Sequence, residues 1–179
     1  MQGLSNKQLH YQNNIEEDKK LLDSEGTVCN YTGSAFLLFL KGAVMRPSKD
    51  NYYLSIAEAV MTRSTCIRRK YGAVIVNNDE IISTGYNGAP RGEENCCDIN
   101  NCMREMLNIP HGQRYELCCS VHGEANAIIS ASRQEMQGAT LYLASSEPNA
   151  EPCDMCRRLI KNAGISKVVT REKVIEVQS

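Results

Sequence analysis

From residue 51 onward, apolar and polar positions follow regular patterns that predict helices and strands. A first helix is predicted because apolar side chains recur on one helical face, at Tyr53, Ile56, Ala57, Val60 and Met61. An apolar run over 72–77 predicts a buried strand. Asn78-Asp79 then predicts a tight turn into a second strand over 80–86. These three elements begin a regular domain.

The second half of the chain predicts two more helices and two more strands. An apolar face over 123–132 predicts one helix, and Pro152 is expected in the first turn of another that stops at Gly164. Strands are predicted over 140–144 and 167–170. The order α-β-β-α-β-α-β predicts an α/β fold in which helices cover both faces of a central mixed sheet.

Two regions depart from this pattern. Residues 87–120 form a long polar connection with a short helix predicted near 103–107, and a connection of this length is usually functional. Residues 1–50 are predicted to be an N-terminal extension, partly disordered or an oligomer contact, ahead of a single domain over 51–179. A segment that modulates activity is the alternative for this extension, which contains an isolated apolar patch over 35–40.

Composition narrows the class of protein. The net charge of −1 and the absence of a basic run argue against bulk electrostatic binding of nucleic acid. The longest apolar run, residues 35–40, is too short to span a membrane. Nine cysteines without a recognisable signal peptide favour a reducing cytoplasm and more than one metal site over a disulfide framework.

The most specific feature is the order His122-x-Glu124 followed by Pro152-Cys153-x-x-Cys156. One imidazole and two thiolates make three zinc ligands, and the open fourth position is typical of a catalytic rather than a structural site. Glu124 need not be a ligand and is free to move protons. A lone C-x-x-C could instead be a redox pair or half of a structural zinc knot, but the combination favours a catalytic zinc.

From about residue 52 to 171 the sequence resembles the deoxycytidylate (dCMP) deaminase family, which has the cytidine deaminase-like fold. The segments that carry the resemblance are 71–76, 83–90, the His122 motif, 141–143 and Pro152–Cys156. The resemblance implies a three-layer α-β-α deaminase domain with a mixed sheet of about five strands. It also implies a zinc-dependent hydrolysis that converts dCMP to dUMP and ammonia.

The resemblance also suggests substrate contacts. Asn87 matches the asparagine that helps to hold the sugar, although Asn87-Gly88 could be only a turn. Backbone N–H groups near Gly123 are expected to orient the base. Arg91 and Arg133 are the predicted phosphate donors, and Arg133 could equally be a solvated helix end. The segment over 145–151 is about five residues longer than is common in the family, and Gly123 stands where alanine is more usual.

The remaining cysteines suggest a second, structural zinc, which the resemblance also implies. The predicted ligands are Cys66, which is expected to end the first helix, together with Cys97, Cys102 and Cys118. Possible substitutes are Cys96, His111 and Cys119. Alternatively, these cysteines are small buried apolar residues.

Two other functions stay open on the sequence. The same chemistry could act on another cytosine nucleoside or nucleotide, a modified base or a polynucleotide, although no basic groove is visible. A non-catalytic zinc-binding assembly module is the second alternative, and Glu124 argues against it because a structural site needs no proton shuttle. The resemblance further implies a homo-oligomer, between dimer and hexamer, with dCTP and dTTP as candidate effectors.

Overall fold

The computed structural model describes residues 21–22, 28–29, 46–110 and 112–177. The chain divides into two compact units, residues 1–46 and residues 47–179. In the first unit, strand β1 (Leu21–Leu22) pairs antiparallel with β2 (Val28–Cys29). The apolar patch over 35–40 lies outside the described residues, so the role assigned to residues 1–50 stays a prediction.

Among the described residues, the second unit contains a five-stranded sheet and six short or medium helices. Its elements are α1 (Lys49–Met61), β3 (Tyr71–Asn77), β4 (Glu80–Tyr86), α2 (Cys96–Ile99), α3 (Met103–Met106), a 3₁₀ turn (Tyr115–Leu117), α4 (Gly123–Ile129), α5 (Arg133–Met136), β5 (Thr140–Ser145), α6 (Asp154–Ala163), β6 (Lys167–Val169) and β7 (Val174–Glu176). The strand order in the sheet is β4-β3-β5-β6-β7. None of the described helices is long and apolar enough to cross a membrane.

Strand directions explain where a site can form. β3 runs antiparallel to both β4 and β5, whereas β5 and β6 are parallel, so the sheet is mixed as predicted. The start of β3 lies beside the ends of its neighbours, with Tyr71 opposite Ser145 and Gly72 opposite Tyr86. The chain leaves β4 and β5 at these strand ends, and α6 begins soon after β5. Ligand sites commonly lie just beyond the carboxyl ends of strands.

The three layers follow from the alternation of side chains along β3. Ala73 and Ile75 pack with the helices α4 and α6 on one face, whereas Val74 and Val76 pack with α1 on the other. This arrangement confirms the predicted fold class. Leu54, which lies outside the predicted apolar face of α1, is also buried there.

Two glycines let the helices approach the sheet very closely. A Cβ on Gly85 would lie 2.3 Å from the backbone nitrogen of Ala127 and 2.3 Å from the carbonyl oxygen of Gly123 in α4. On the opposite face, a Cβ on Gly72 would lie 2.2 Å from the carbonyl oxygen of Ala57 in α1. Both distances are far below van der Waals contact, so each glycine sets the position of one helix.

Three predicted boundaries are wrong. α4 ends at Ile129 instead of residue 132, because Ser132 caps a new helix by accepting a hydrogen bond from the backbone of Glu135. Pro152 precedes α6 rather than lying in its first turn, because Cys153 is the N-cap. Cys66 lies in the loop before β3 instead of ending the first helix.

Candidate active site

The structure brings the three predicted metal ligands together at the helix N-termini. His122 is the N-cap of α4, Cys153 is the N-cap of α6, and Cys156 lies in the first turn of α6. Nδ1 of His122 lies 3.4 Å from Sγ of each cysteine, and all three donor atoms lie within 4.8 Å of one another. A tetrahedral zinc ion with Zn–S of ~2.3 Å and Zn–N of ~2.05 Å separates such ligands by about 3.5 Å. The donor set therefore fits zinc.

The two sulfurs differ in their electrostatics. A hydrogen bond from the Cys156 thiol, supplemented by one from His122, lowers the pKa of Cys153 to about 3 against the opposing effect of burial. Cys156 is the donor of that pair and is buried, so the pKa of its thiol is raised. Cys153 is thus ready to bind a cation as a thiolate.

Glu124 is the buried carboxyl group of the site. It lies in the first turn of α4 and only 3% of its surface is exposed. Burial raises the pKa of Glu124 above its ordinary value. Because it follows His122 by two residues and lines the same cavity as that histidine, it can exchange protons with a molecule bound there.

A cavity of about 630 Å³ opens onto these groups. Its wall includes His122, Glu124 and Cys153, together with Tyr71 at the start of β3. The long segment after β5 forms another part of the wall, through residues 147–151. This volume lies in the range of small-molecule sites in proteins.

Asn87 lines the cavity and also holds its wall together. Its side-chain oxygen accepts hydrogen bonds from the hydroxyl of Ser64 (2.6 Å) and the backbone N–H of Tyr71 (2.7 Å). Its side-chain nitrogen donates to the carbonyl oxygen of Arg69 (2.8 Å). An asparagine amide has two N–H donors, so one remains for a ligand.

The two arginines predicted to contact the phosphate lie elsewhere. Arg91 and Arg133 are exposed and do not line the cavity. Gly123 is buried against the sheet, where a Cβ would lie 3.3 Å from the carbonyl oxygens of Tyr71 and Gly85.

Sequence reasoning missed four arginines that line the cavity: Arg68, Arg69, Arg104 and Arg157. The adjacent pair Arg68-Arg69 next to Cys66 was the one available signal. Arg68 forms an ion pair with Glu105, and Arg157 forms one with Glu151.

The eight cysteines within residues 46–110 and 112–177 are all free thiols. Cys66, Cys102 and Cys118 line the cavity as a group, together with Cys96. Cys96 is buried with its Sγ 3.6 Å from Sγ of Cys119, whereas the adjacent Cys97 is exposed and turned toward Asp98. Within residues 46–110 and 112–177, only the His122 set brings three such donors within 4.8 Å. His111 lies outside the described residues.

Three protein ligands would leave one position of a tetrahedral ion open, and the buried carboxyl group of Glu124 lines the same cavity as His122 and Cys153. On an α-β-α scaffold, this is the chemistry of the zinc-dependent deaminases that act on nucleobases. The fold and the site therefore define that class.

Comparisons with known proteins identify the family. Residues 47–172 match the model of the cytidine and deoxycytidylate deaminase zinc-binding region. The chain is 41% identical over 129 residues to the deoxycytidylate deaminase of Mycobacterium phage D29, an alignment that covers 69% of this chain and 94% of the phage protein. It is 39% identical over 127 residues to the deoxycytidylate deaminase of Saccharomyces cerevisiae, covering 70% and 38%. The chain belongs to the cytidine and deoxycytidylate deaminase family.

Solved structures agree with this assignment. The apo crystal structure of dCMP deaminase from the cyanophage S-TIM5 matches with a TM-score of 0.53 and 30% identity, covering 71% of this chain and 85% of that one. The same enzyme in complex with dCMP and dUMP matches with a TM-score of 0.50 and 27% identity, covering 70% and 82%. The predicted cytidine deaminase-like fold is confirmed.

Proposed function

We propose that the protein catalyses the zinc-dependent hydrolysis of dCMP to dUMP and ammonia. The observation that carries this proposal is the meeting of buried Glu124 with His122, Cys153 and Cys156 at a cavity large enough for a nucleotide. The similarity to deoxycytidylate deaminases supports dCMP as the substrate.

His122, Cys153 and Cys156 would hold the zinc ion, which supplies an activated water when bound. Glu124 accepts a proton from the water that attacks C4 of the cytosine ring. The same carboxyl group passes this proton to ring N3, then accepts the second proton from the hydroxyl group now on C4 and passes it to the amine, which leaves as ammonia while C4 gains a carbonyl oxygen. Burial of Glu124 suits this double role, because a raised pKa makes the carboxyl group a better proton acceptor.

Substrate contacts are assigned from the cavity wall. The free N–H of Asn87 is the candidate donor to the sugar. For the 5′-phosphate we assign Arg69, a half-buried wall residue that has no ion pair among the described residues. Arginine suits phosphate because its fork donates two charge-assisted hydrogen bonds. The exposed position of Arg91 makes it the matched control.

The test measures ammonia release from cytosine, cytidine, deoxycytidine, CMP, dCMP and dCTP in parallel. We expect dCMP to exceed deoxycytidine by at least ~100-fold in kcat/KM, or about 2.7 kcal/mol at the transition state. Arg69→Ala should erase most of this preference, whereas Arg91→Ala should keep it. Equal rates on dCMP and deoxycytidine would move the protein to the nucleoside or modified-base alternative.

A second, structural zinc is also proposed, with Cys96 in place of Cys97 beside Cys66, Cys102 and Cys118. The burial of Cys96 and its place in the cavity wall with the other three cysteines support this choice, whereas Cys97 faces Asp98 at the surface. Metal analysis should find about two zinc ions per chain. Cys96→Ala should release one of them and lower the Tm, and Cys97→Ala is the matched control. One zinc in the wild type would leave these cysteines as packing residues.

Assembly and regulation are further proposals. The exposed apolar side chains of Ile129 and Met155, 76% and 62% accessible, support a homo-oligomer because such side chains gain from burial in an interface. Sedimentation of the purified protein tests assembly, and a monomer at micromolar concentration would contradict it.

The candidate effectors dCTP and dTTP rest on the family resemblance and can be added to the same activity assay. Cytoplasmic localisation stays a prediction.

A further inference from the structure

We propose that Arg104 and Tyr115 are positioning residues for the metal ligand His122. The Arg104 guanidinium holds the face of the Tyr115 ring, and this ring in turn fixes the plane of the imidazole. The inference rests on the proposed function, because it concerns residues that position a ligand of the same catalytic zinc.

Arg104 is a buried cation without a carboxylate partner among the described residues. It lies in α3 and only 6% of its surface is exposed. One guanidinium nitrogen donates to the carbonyl oxygen of Pro110 at 2.8 Å, but the buried Nε has no hydrogen-bond partner. No ion pair joins Arg104 to a carboxylate in the part of the chain that the structure describes. Burying a charge in this way is costly unless another group compensates.

The Tyr115 ring is that group. Cζ of Arg104 lies 4.7 Å from the centroid of the ring, over its face, which is within the range of cation–π attraction. The electron-rich ring face can also accept the orphan Nε–H. Arg104 thereby anchors Tyr115, which lies in a short 3₁₀ turn.

The anchored Tyr115 ring in turn contacts the imidazole ring of His122. The two ring centroids lie 5.5 Å apart and the planes cross at 84°, which is an edge-to-face contact. Because Nδ1 of His122 faces both cysteine sulfurs, its other nitrogen cannot be a ligand to the same ion. In metal sites a carboxylate or carbonyl oxygen usually orients that second nitrogen. No such hydrogen bond is present among the described residues, so the tyrosine ring is the group that orients the imidazole.

Arg104 also lines the cavity, so direct binding of the substrate phosphate is the competing role. The two roles have different consequences. Loss of a phosphate contact would weaken catalysis on dCMP and spare deoxycytidine. Loss of imidazole positioning would lower kcat on both substrates to the same extent and weaken zinc binding, which needs no substrate.

The experiment compares Tyr115→Leu, Tyr115→Phe and Arg104→Gln in the full chain, with Arg114→Gln as control because Arg114 is exposed and pairs with Glu116. Zinc dissociation is measured by chelator competition, and the ion that is missing in His122→Ala identifies the catalytic site. We expect Tyr115→Leu and Arg104→Gln to weaken this zinc by about 10–100-fold. Their kcat should fall on both substrates with KM little changed. Tyr115→Phe keeps the ring and should restore wild-type behaviour.

Several results would overturn the inference. One is a zinc affinity within about twofold of the wild type in both Tyr115→Leu and Arg104→Gln. Replacing a residue that orients a metal ligand usually lowers metal affinity about tenfold or more. Another is a loss confined to dCMP, which would make Arg104 a phosphate contact. If Arg104→Gln does not fold, the Leu and Phe variants of Tyr115 still decide the question. A wild type that deaminates neither substrate defeats the proposed function, whereas zinc affinity still tests the positioning.

Discussion

Gly85→Ala should displace α4, the helix that begins after His122, and should lower catalytic activity by more than its loss of stability explains. The added Cβ would meet two backbone atoms of α4 at 2.3 Å, so α4 must shift by roughly 1 Å to restore normal contact. His122 and Glu124 lie at the start of that helix and would move with it. A displacement of this size typically costs about 100-fold in rate, and overpacking costs about 1–3 kcal/mol of unfolding free energy.

Gly72→Ala is the matched control for this experiment. Its Cβ would meet the backbone of α1 just as closely, at 2.2 Å from the carbonyl oxygen of Ala57. Gly72 lies on β3 next to the same region of the sheet, but α1 carries none of the metal ligands. We therefore expect a similar loss of stability with kcat and zinc affinity largely retained.

Urea unfolding, chelator competition for zinc and kcat on dCMP are measured for both variants. Gly85→Ala should lose at least ~30-fold more kcat than Gly72→Ala at comparable unfolding free energy, because only α4 carries catalytic groups. Wild-type kcat and zinc affinity in a folded Gly85→Ala protein would show that the position of α4 does not limit the chemistry. Equal loss of kcat in both variants would refute the assignment of the effect to one helix.

Three other predictions concern the proton shuttle and the stability of the fold. Glu124→Gln should keep its zinc and bind dCMP but lose at least ~100-fold in kcat, and normal turnover would assign the proton transfers to another residue. The hydrogen bond to Asp79, followed by burial, raises the pKa of Tyr53 from 10.0 to about 12. Its stabilising contribution is therefore full below pH 10 and lost toward pH 12. Burial, followed by the hydrogen bond to Asp50, raises the pKa of Tyr142 as well, so ultraviolet titration should show late tyrosines whose number falls by one in Tyr53→Phe. Arg171→Ala should cost less than about 1 kcal/mol, because the ion pair with Glu58 is exposed. The hydrogen bond from Arg171 lowers the pKa of Glu58, so in urea unfolding this loss should vanish as pH falls through the carboxylate range; a difference that persists in acid would refute the ion-pair origin.

Local signals made much of the fold predictable. The strand over 80–86 has the predicted bounds because the hairpin turn is encoded by its own residues: Asn78 and Asp79 have φ values of 48° and 69°, which asparagine and aspartate tolerate better than most residues. The metal ligands were equally predictable from sequence. Each half of the motif is a short local pattern at the start of a single helix, α4 for His122 and α6 for the two cysteines. β7 was missed, since Val174–Glu176 has only three residues and its pairing with β6 defines it.

Long-range packing decides the features that the sequence did not reveal. Arg69 reaches the cavity because Asn87, 18 residues later, holds its carbonyl oxygen. Arg91 is much nearer to Asn87 in sequence and nevertheless points to solvent. Cys96 and Cys97 are adjacent and chemically identical, so only the direction of the short helix α2 decides which of them is buried. Such choices depend on three-dimensional contacts that periodicity does not encode.

The strand order also has a consequence for the folding pathway. β3 and β4 are joined by a two-residue turn, and a hairpin of this kind forms in roughly microseconds. The central pairing of β3 with β5 must wait until the long connection that contains α4 has collapsed, because distant strands pair slowly. His122 and Cys156 lie on opposite sides of β5 in sequence, so we expect their thiolate and imidazole groups to meet after that pairing forms. Until then the thiols are unprotected, and a reducing agent present during refolding should raise the yield of active protein.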